Sequence, residues 1–157
     1  MQAPDSGTDF QLKLAIPHGG GITETAKANR ELVLGAYTGL LRGDIEGWWK
    51  IFDKDVELHE AEGLPYGHTS RGVDNVRAGV DGMLATWSPL VVQIEELTAG
   101  GDLVIAYLLM TATGKRTGTT FSFPVAEMFR FRDGRVVEWR PIYSDTYIAR
   151  RAAGGPR

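Results

Sequence analysis

Four long β-rich runs, separated by turns too short for anything but chain reversal, constrain this chain more than any other feature. They are Leu90–Thr98, Asp102–Thr113, Thr119–Arg132 and Arg135–Tyr143, broken by Ala99-Gly100-Gly101, Gly114–Gly118 and Asp133-Gly134. Asp-Gly between two apolar runs is a strong hairpin signal, because such a turn needs positive φ at its central positions. Consecutive strands spaced this closely are antiparallel neighbours. The first half reads differently. From about Thr23 to Leu41, Ala28, Leu32, Ala36 and Leu40 recur one helical turn apart, with Thr23 or Thr25 as the cap and Gly43 as the stop. A short second helix after Asp44 carries Ile45, Trp48, Trp49 and Phe52, and Val56–Glu60 reads as a brief strand. Gly63, Pro65 and Gly67 mark a loop, a third helix runs from about Val73 to Trp87, and Thr146–Ala153 suits a last short helix. Helices followed by a meander predict an α+β domain with helices packed on one sheet face.

Composition narrows the function. At 157 residues one domain is expected, over 23–153, with 1–22 as an extended arm holding Pro4, Pro17 and Gly19-Gly20-Gly21, and 154–157 as a disordered tail. Seventeen Lys and Arg against 20 Asp and Glu argue against a nucleic-acid partner. The absence of cysteine removes disulfides, thiolate nucleophiles and Cys-based zinc sites. No apolar run reaches the ~20 residues of a membrane span, and the first ten residues lack the basic start and apolar core of a signal peptide. A soluble, cytoplasmic domain without membrane attachment is the expectation. His18-Gly19-Gly20-Gly21 lacks the Gly-x-Ser-x-Gly turn that an acyl-transfer site of that type needs. Gly114-Lys115-Arg116 is a basic hairpin turn rather than a phosphate loop. Glu57, His59, Glu60 and Glu62 look like metal ligands until strand alternation sends Glu57 and His59 to one face and Glu60 to the other. No metal is expected.

Three short motifs then occur in a telling order. Tyr37-Thr38-Gly39-Leu40-Leu41-Arg42-Gly43-Asp44 with Phe52-Asp53-Lys54-Asp55-Val56 resembles the opening of the SnoaL-like group, within the superfamily sharing the nuclear-transport-factor-2 and ketosteroid-isomerase fold. Leu64-Pro65-Tyr66-Gly67 and Arg71-Gly72-Val73 resemble its approach to the third helix, and Phe129–Arg140 resembles its last hairpin. The resemblance spans roughly residues 25–150. It implies a cone, in which a strongly curved antiparallel sheet and about three N-terminal helices enclose an apolar pocket. Phe121, Phe123, Phe129 and Phe131 share a strand parity, as do Trp139, Pro141 and Tyr143 on the next strand, so each is core or pocket wall. Tyr37, Trp48, Trp49, Tyr66, His68, Phe123, Phe129, Trp139 and Tyr143 are the expected substrate contacts. The short second helix is expected to bury one of Trp48 and Trp49 and leave the other at the pocket or its rim.

An acid on an apolar sheet face is costly unless paired or neutralised. Glu127 shares its face with Phe123, Val125, Phe129 and Phe131; Glu60 follows the parity of Val56 and Leu58; Asp145 follows the last strand. The resemblance implies that Glu60 stands where ketosteroid isomerase has its proton-shuttling carboxylate. It places Glu127 at that enzyme's protonated, oxyanion-binding acid. Both are one methylene longer than the aspartates of that pattern, and the family's catalytic tyrosine aligns with Ala36, one residue before Tyr37. Asp145 resembles a carboxylate of limonene-epoxide-hydrolase relatives. A base ionised at neutral pH beside an acid protonated at neutral pH can move a proton α to a carbonyl without an organic cofactor. The implied activity is isomerisation, cyclisation or aldol-type cleavage of a hydrophobic, aromatic or polycyclic small molecule, with epoxide hydrolysis and a non-catalytic ligand-binding or protein-interaction module as alternatives. Structural readings stand beside these roles. Glu60 faces solvent if its strand bulges, Glu127 pairs with Arg130 or Arg140 if turned outward, and Asp145 caps the last helix through Tyr147 and Ile148. A homodimer through the outer sheet face, which carries Met128, Arg130 and Arg140, completes the expectation.

Overall fold

The computed structural model describes residues 22–155. Helix α1 (Glu24–Leu41) starts where Thr23 caps it, the hydroxyl accepting from the Ala26 amide at 3.0 Å. Its buried stripe is Ala26, Asn29, Val33 and Ala36; of the expected Ala28, Leu32, Ala36 and Leu40 only Ala36 is buried, the rest of the stripe lying about one residue out of phase. Small side chains let this face approach the sheet closely, and Leu32 and Leu40 remain 40% and 38% exposed. Asp44 caps α2 (Ile45–Lys50) through the Gly47 amide. Both Trp48 and Trp49 are buried, which corrects the expectation that only one of them would be core, and Trp49 also lines a surface groove of about 400 Å³. Trp48 packs on Tyr37, Phe52, Phe129 and Trp139, whereas Trp49 lies beneath the Arg77 guanidinium, 5.0 Å from the ring centre.

Six strands form one sheet in the order β2-β1-β6-β5-β4-β3: β1 (Phe52–His59), β2 (Thr69–Arg71), β3 (Trp87–Gly100), β4 (Leu103–Gly114), β5 (Thr120–Arg132) and β6 (Arg135–Tyr143). Strands β3 to β6 are the antiparallel meander the turns demanded, with Asp133 and Gly134 both at positive φ in the last of them. The sheet as a whole is mixed, however, because β1 runs parallel to β6. That corrects the purely antiparallel expectation: β1 pairs with a strand far along the chain rather than through a short reversing turn. Helix α3 (Val73–Thr86) stops one residue short of the expected Trp87, which instead opens β3, and α4 (Thr146–Ala152) closes the chain. The expected arm at 1–22, apart from its last residue, and the end of the expected tail lie outside the described residues.

The inward face of β5 divides the interior. Phe121, Phe123 and Val125 belong to one apolar cluster, with Tyr66, Trp87, Leu108 and Ala149. Phe129 and Phe131 belong to another, with Val33, Trp48, Phe52 and Trp139. Glu127 sits between them, at the seam.

Candidate functional site

Strand alternation aims Glu127 inward from β5, where its neighbours across the ladder are Ala106 on β4 and Pro141 on β6. Neither offers a side-chain donor. The Tyr37 hydroxyl, from α1, supplies one by donating to the Glu127 carboxylate. Trp48 and Phe129 hold the Tyr37 ring at centroid distances of 5.1 and 6.2 Å. Burial pushes the Glu127 carboxyl up to about 7, against the opposing pull of the Tyr37 bond. Burial and the adjacent carboxylate likewise drive the Tyr37 hydroxyl well above its ordinary value, so it stays a donor. The residue offset between Tyr37 and the family's tyrosine does not prevent contact with the acid.

Glu60 follows the last residue of β1 and accepts from the Tyr143 hydroxyl at 3.1 Å. Burial pushes it up to about 7 as well, the nearby Glu127 charge adding to the rise, while the Tyr143 bond and the Ala61 amide oppose it. Each acid therefore has one tyrosine, and the two carboxyls feel each other. Tyr143 is in turn pushed far up by burial and by Glu60. Tyr66 is buried, accepts from the Trp87 indole at 3.1 Å, and burial moves it up to about 12. Nothing in the spacing points to Trp87, because a tryptophan at a helix-to-strand boundary carries no face of its own. Glu60 and Tyr143 open on a cleft of about 310 Å³ with Arg140 and Pro141; Glu127 is not among its lining residues.

The other expected site residues distribute differently. Phe123, Phe129 and Trp139 are buried, Phe129 stacking on Trp139 at 5.9 Å. The Trp139 indole N–H is buried with no acceptor among the described residues. His68 lies in a separate groove of about 490 Å³ between β2 and α3, where Nδ1 sits 2.9 Å from the Tyr66 carbonyl and Nε2 2.9 Å from the Ser70 hydroxyl. Since a carbonyl only accepts, Nδ1 carries a proton and donates to it. Asp145 caps α4 by accepting from the Ile148 amide at 3.0 Å, and no hydrogen bond joins it to Glu60 or Glu127. Glu57 and His59 pair at 3.3 Å on the opposite side of β1 from Glu60. Arg140 pairs with Glu138 and Arg130 with Asp102, leaving Glu127 its inward orientation. No group of three or more metal-ligating side chains occurs among the described residues.

Two tyrosine-held acids in an apolar interior are the setting in which likeness to other proteins becomes informative. The model of the SnoaL-like domain matches residues 33–139, more than half of the chain. The chain belongs to the SnoaL-like family. Among solved structures, this SnoaL-like chain is similar to an NTF2-like protein of Burkholderia thailandensis, at 26% identity and a TM-score of 0.73, covering 82% of this chain and 98% of that one. It is similar to TerC, co-crystallised with polyporic acid, at 24% identity and a TM-score of 0.71 over 82% and 99% of the two chains. A putative SnoaL-like polyketide cyclase from Jannaschia sp. matches at 17% identity and a TM-score of 0.71, over 87% and 99%. These likenesses establish an NTF2-like α+β fold. No sequence match is found among curated proteins. No helix among the described residues is long and apolar enough to cross a membrane.

The Tyr143 hydroxyl is the stronger of the two influences holding Glu60 down, so its loss has a signed consequence. Tyr143→Phe is expected to raise the Glu60 pKa further. An activity that needs ionised Glu60 would then show its acidic limb at higher pH, read from the pH profile of kcat/KM.

Proposed function

We propose that this SnoaL-like chain is an acid/base enzyme that uses its own carboxyls, without an organic cofactor or metal, on a largely apolar small molecule bearing a carbonyl group. The reading rests on one observation: two carboxyls in one apolar interior, each bonded to a tyrosine and each raised to about 7. Ionising either one makes the other harder to ionise, so near neutrality the pair holds about one proton. Glu60 receives two donors, the Tyr143 hydroxyl and the Ala61 amide, and Glu127 receives only Tyr37. The negative charge therefore favours Glu60, and the proton favours Glu127.

That division assigns the roles. Glu60 removes a proton from the carbon α to the carbonyl. The electron pair moves onto the carbonyl oxygen, which the Glu127 acid stabilises by donating to it, while the Tyr37 hydroxyl donates to Glu127 and holds that acid in place. Glu60 then returns the proton to a different carbon; alternatively the enolate carbon attacks a second carbonyl carbon and closes a ring, the first carbonyl re-forms, and the new alkoxide takes the proton back from Glu60. The aromatic side chains on either side of the seam suit contact with an aromatic or polycyclic substrate, and the orphaned Trp139 N–H offers a further donor to a substrate oxygen. The co-crystallisation of TerC with polyporic acid supports a ligand of this class. Engagement of Asp145 in the α4 cap weighs against epoxide hydrolysis through that residue.

The test is a thermal-shift and mass-spectrometric screen of aromatic ketones, hydroxylated diaryl compounds, steroids and terpene epoxides, run on wild type beside Glu127→Gln. A compound that wild type converts and the variant only binds is the expected result. Compounds that stabilise both proteins equally, with no product from either, would make this a binding module.

A second copy of the chain suits the outer sheet face. Ile142, Ala126 and Tyr107 lie in one row across β6, β5 and β4, beside a second row of Pro124 and Leu109. Ile142 and Tyr107 are 47% and 43% exposed, with the paired Arg130, Arg140 and Glu138 along one side of these rows and Thr111 and Ser122 along the other. An apolar centre with a polar border is the composition of a protein interface. Sedimentation should give a dimer at micromolar concentration and a monomer for Tyr107→Glu/Ile142→Glu. A wild-type monomer would contradict the assignment.

A further inference from the structure

Away from the carboxyl pair, four chain segments far apart in sequence meet around a groove of about 580 Å³: the loop at 62–65, the end of α3, the turn between β4 and β5, and the end of α4. Three cations line it, Lys115, Arg116 and Arg150, against one carboxylate, Glu62. None of the three cations forms an ion pair among the described residues. Among the described residues the Lys115 side chain donates only to the Leu84 carbonyl and that of Arg116 only to the Gly154 carbonyl, both at 3.2 Å. The Arg150 Nε is buried with no acceptor at all among the described residues. The guanidinium lies over the Tyr147 ring, 5.9 Å from its centre, but a buried N–H without a hydrogen-bond acceptor is costly.

Gly154, at φ +87°, passes so near Arg116 that a Cβ there would stand 3.1 Å from the guanidinium, and a Cβ on Gly155 would meet the aliphatic stem of Arg150 at 2.6 Å. Glycines thus let the main chain pack against both side chains at the edge of the groove. The rest of the wall, with Leu64 and Pro65 at one side and Ala85 and Ala153 at the other, is apolar.

We propose that this groove binds a phosphate monoester carried on a compact apolar or aromatic body. Three cations against one acid leave two positive charges, which a phosphate dianion matches, and arginine forks suit its oxygens. The apolar wall receives the ester's organic part. The proposal is independent of the acid/base reading, since the groove contains neither Glu60 nor Glu127. The competing role for these cations is purely structural, as caps for the carbonyl ends of α3 and α4.

Calorimetry and thermal shift on the full chain with phenyl phosphate separate the two. Saturable binding and stabilisation are expected, absent with benzyl alcohol or with sodium chloride at matched ionic strength. Arg150→Gln should weaken phenyl phosphate by about tenfold or more, the loss of one charge-assisted hydrogen bond. Lys115→Gln/Arg116→Gln should do the same, and serves if the Arg150 variant does not fold. Benzoate should bind much more weakly. Equal affinity for benzoate, undiminished binding by the folded variants, or variants that lose stability while wild type ignores phenyl phosphate would each overturn the proposal.

Discussion

Glu60→Gln is expected to lower kcat by about 1,000-fold on any substrate the screen identifies, while substrate affinity changes no more than a few-fold. General acid/base groups contribute about 10²–10⁴-fold each, and Glu60 is the group assigned to take the proton. The amide keeps the size of the side chain and can still accept from the Tyr143 hydroxyl at its 3.1 Å position, so local packing is preserved. Only the capacity to take up a proton disappears. Single-turnover kinetics and calorimetric titration separate the two parameters. Retained turnover would remove Glu60 from the mechanism, whereas equal losses in binding and turnover would recast it as a substrate contact.

The second large effect is on stability against pH. Glu60 and Glu127 rise from an ordinary value of 4.5 to about 7 in the folded protein, chiefly through burial. Between those values the native state holds more protons than the unfolded chain. Stability is therefore fully present below about pH 4.5 as far as these groups are concerned, declines as pH rises towards 7, and levels off above it. A tenfold change in proton affinity corresponds to about 1.4 kcal/mol, so each acid contributes at most on the order of 3 kcal/mol, and the coupled pair less than twice that. Glu127→Gln removes one ionisation. At about pH 8 it should unfold at higher denaturant concentration than wild type, by about 1–3 kcal/mol, with a much smaller difference at about pH 5. Urea titrations at the two pH values measure it. Parallel behaviour of wild type and variant across that range would mean that the Glu127 carboxyl is not desolvated.

The residues announce this arrangement unevenly, for physical reasons. The meander is legible because strand pairing through short turns is local: Asp133-Gly134 dictates its hairpin, and parity along β5 then aims Glu127 at the core. The same parity separates Glu60 from Glu57 and His59. Parallel pairing of β1 with β6 joins residues about 80 positions apart and leaves no local trace, and the three residues of β2 are too few to show a period. The phase of α1 differs from the one its leucines suggest, since leucines outweigh smaller residues in any apolar pattern whereas close packing on a sheet favours the smaller side chains of Ala26 and Val33. Both tryptophans of α2 are core because Arg77 covers the second one. The contact of Tyr37 with Glu127 depends on where α1 crosses the sheet, which only the assembled fold supplies.

Whether two carboxyls share an apolar interior and divide one proton near neutrality is tested most directly by carbon-detected NMR of the protein labelled at glutamate Cδ. The titration runs from about pH 4 to about pH 9, with Glu60→Gln and Glu127→Gln assigning the two resonances. Two coupled titrations displaced upward to the region of about 7 are expected, with a lower apparent value for either acid when the other is replaced. Two independent titrations near the ordinary value of 4.5 would contradict the shared proton and the roles assigned from it.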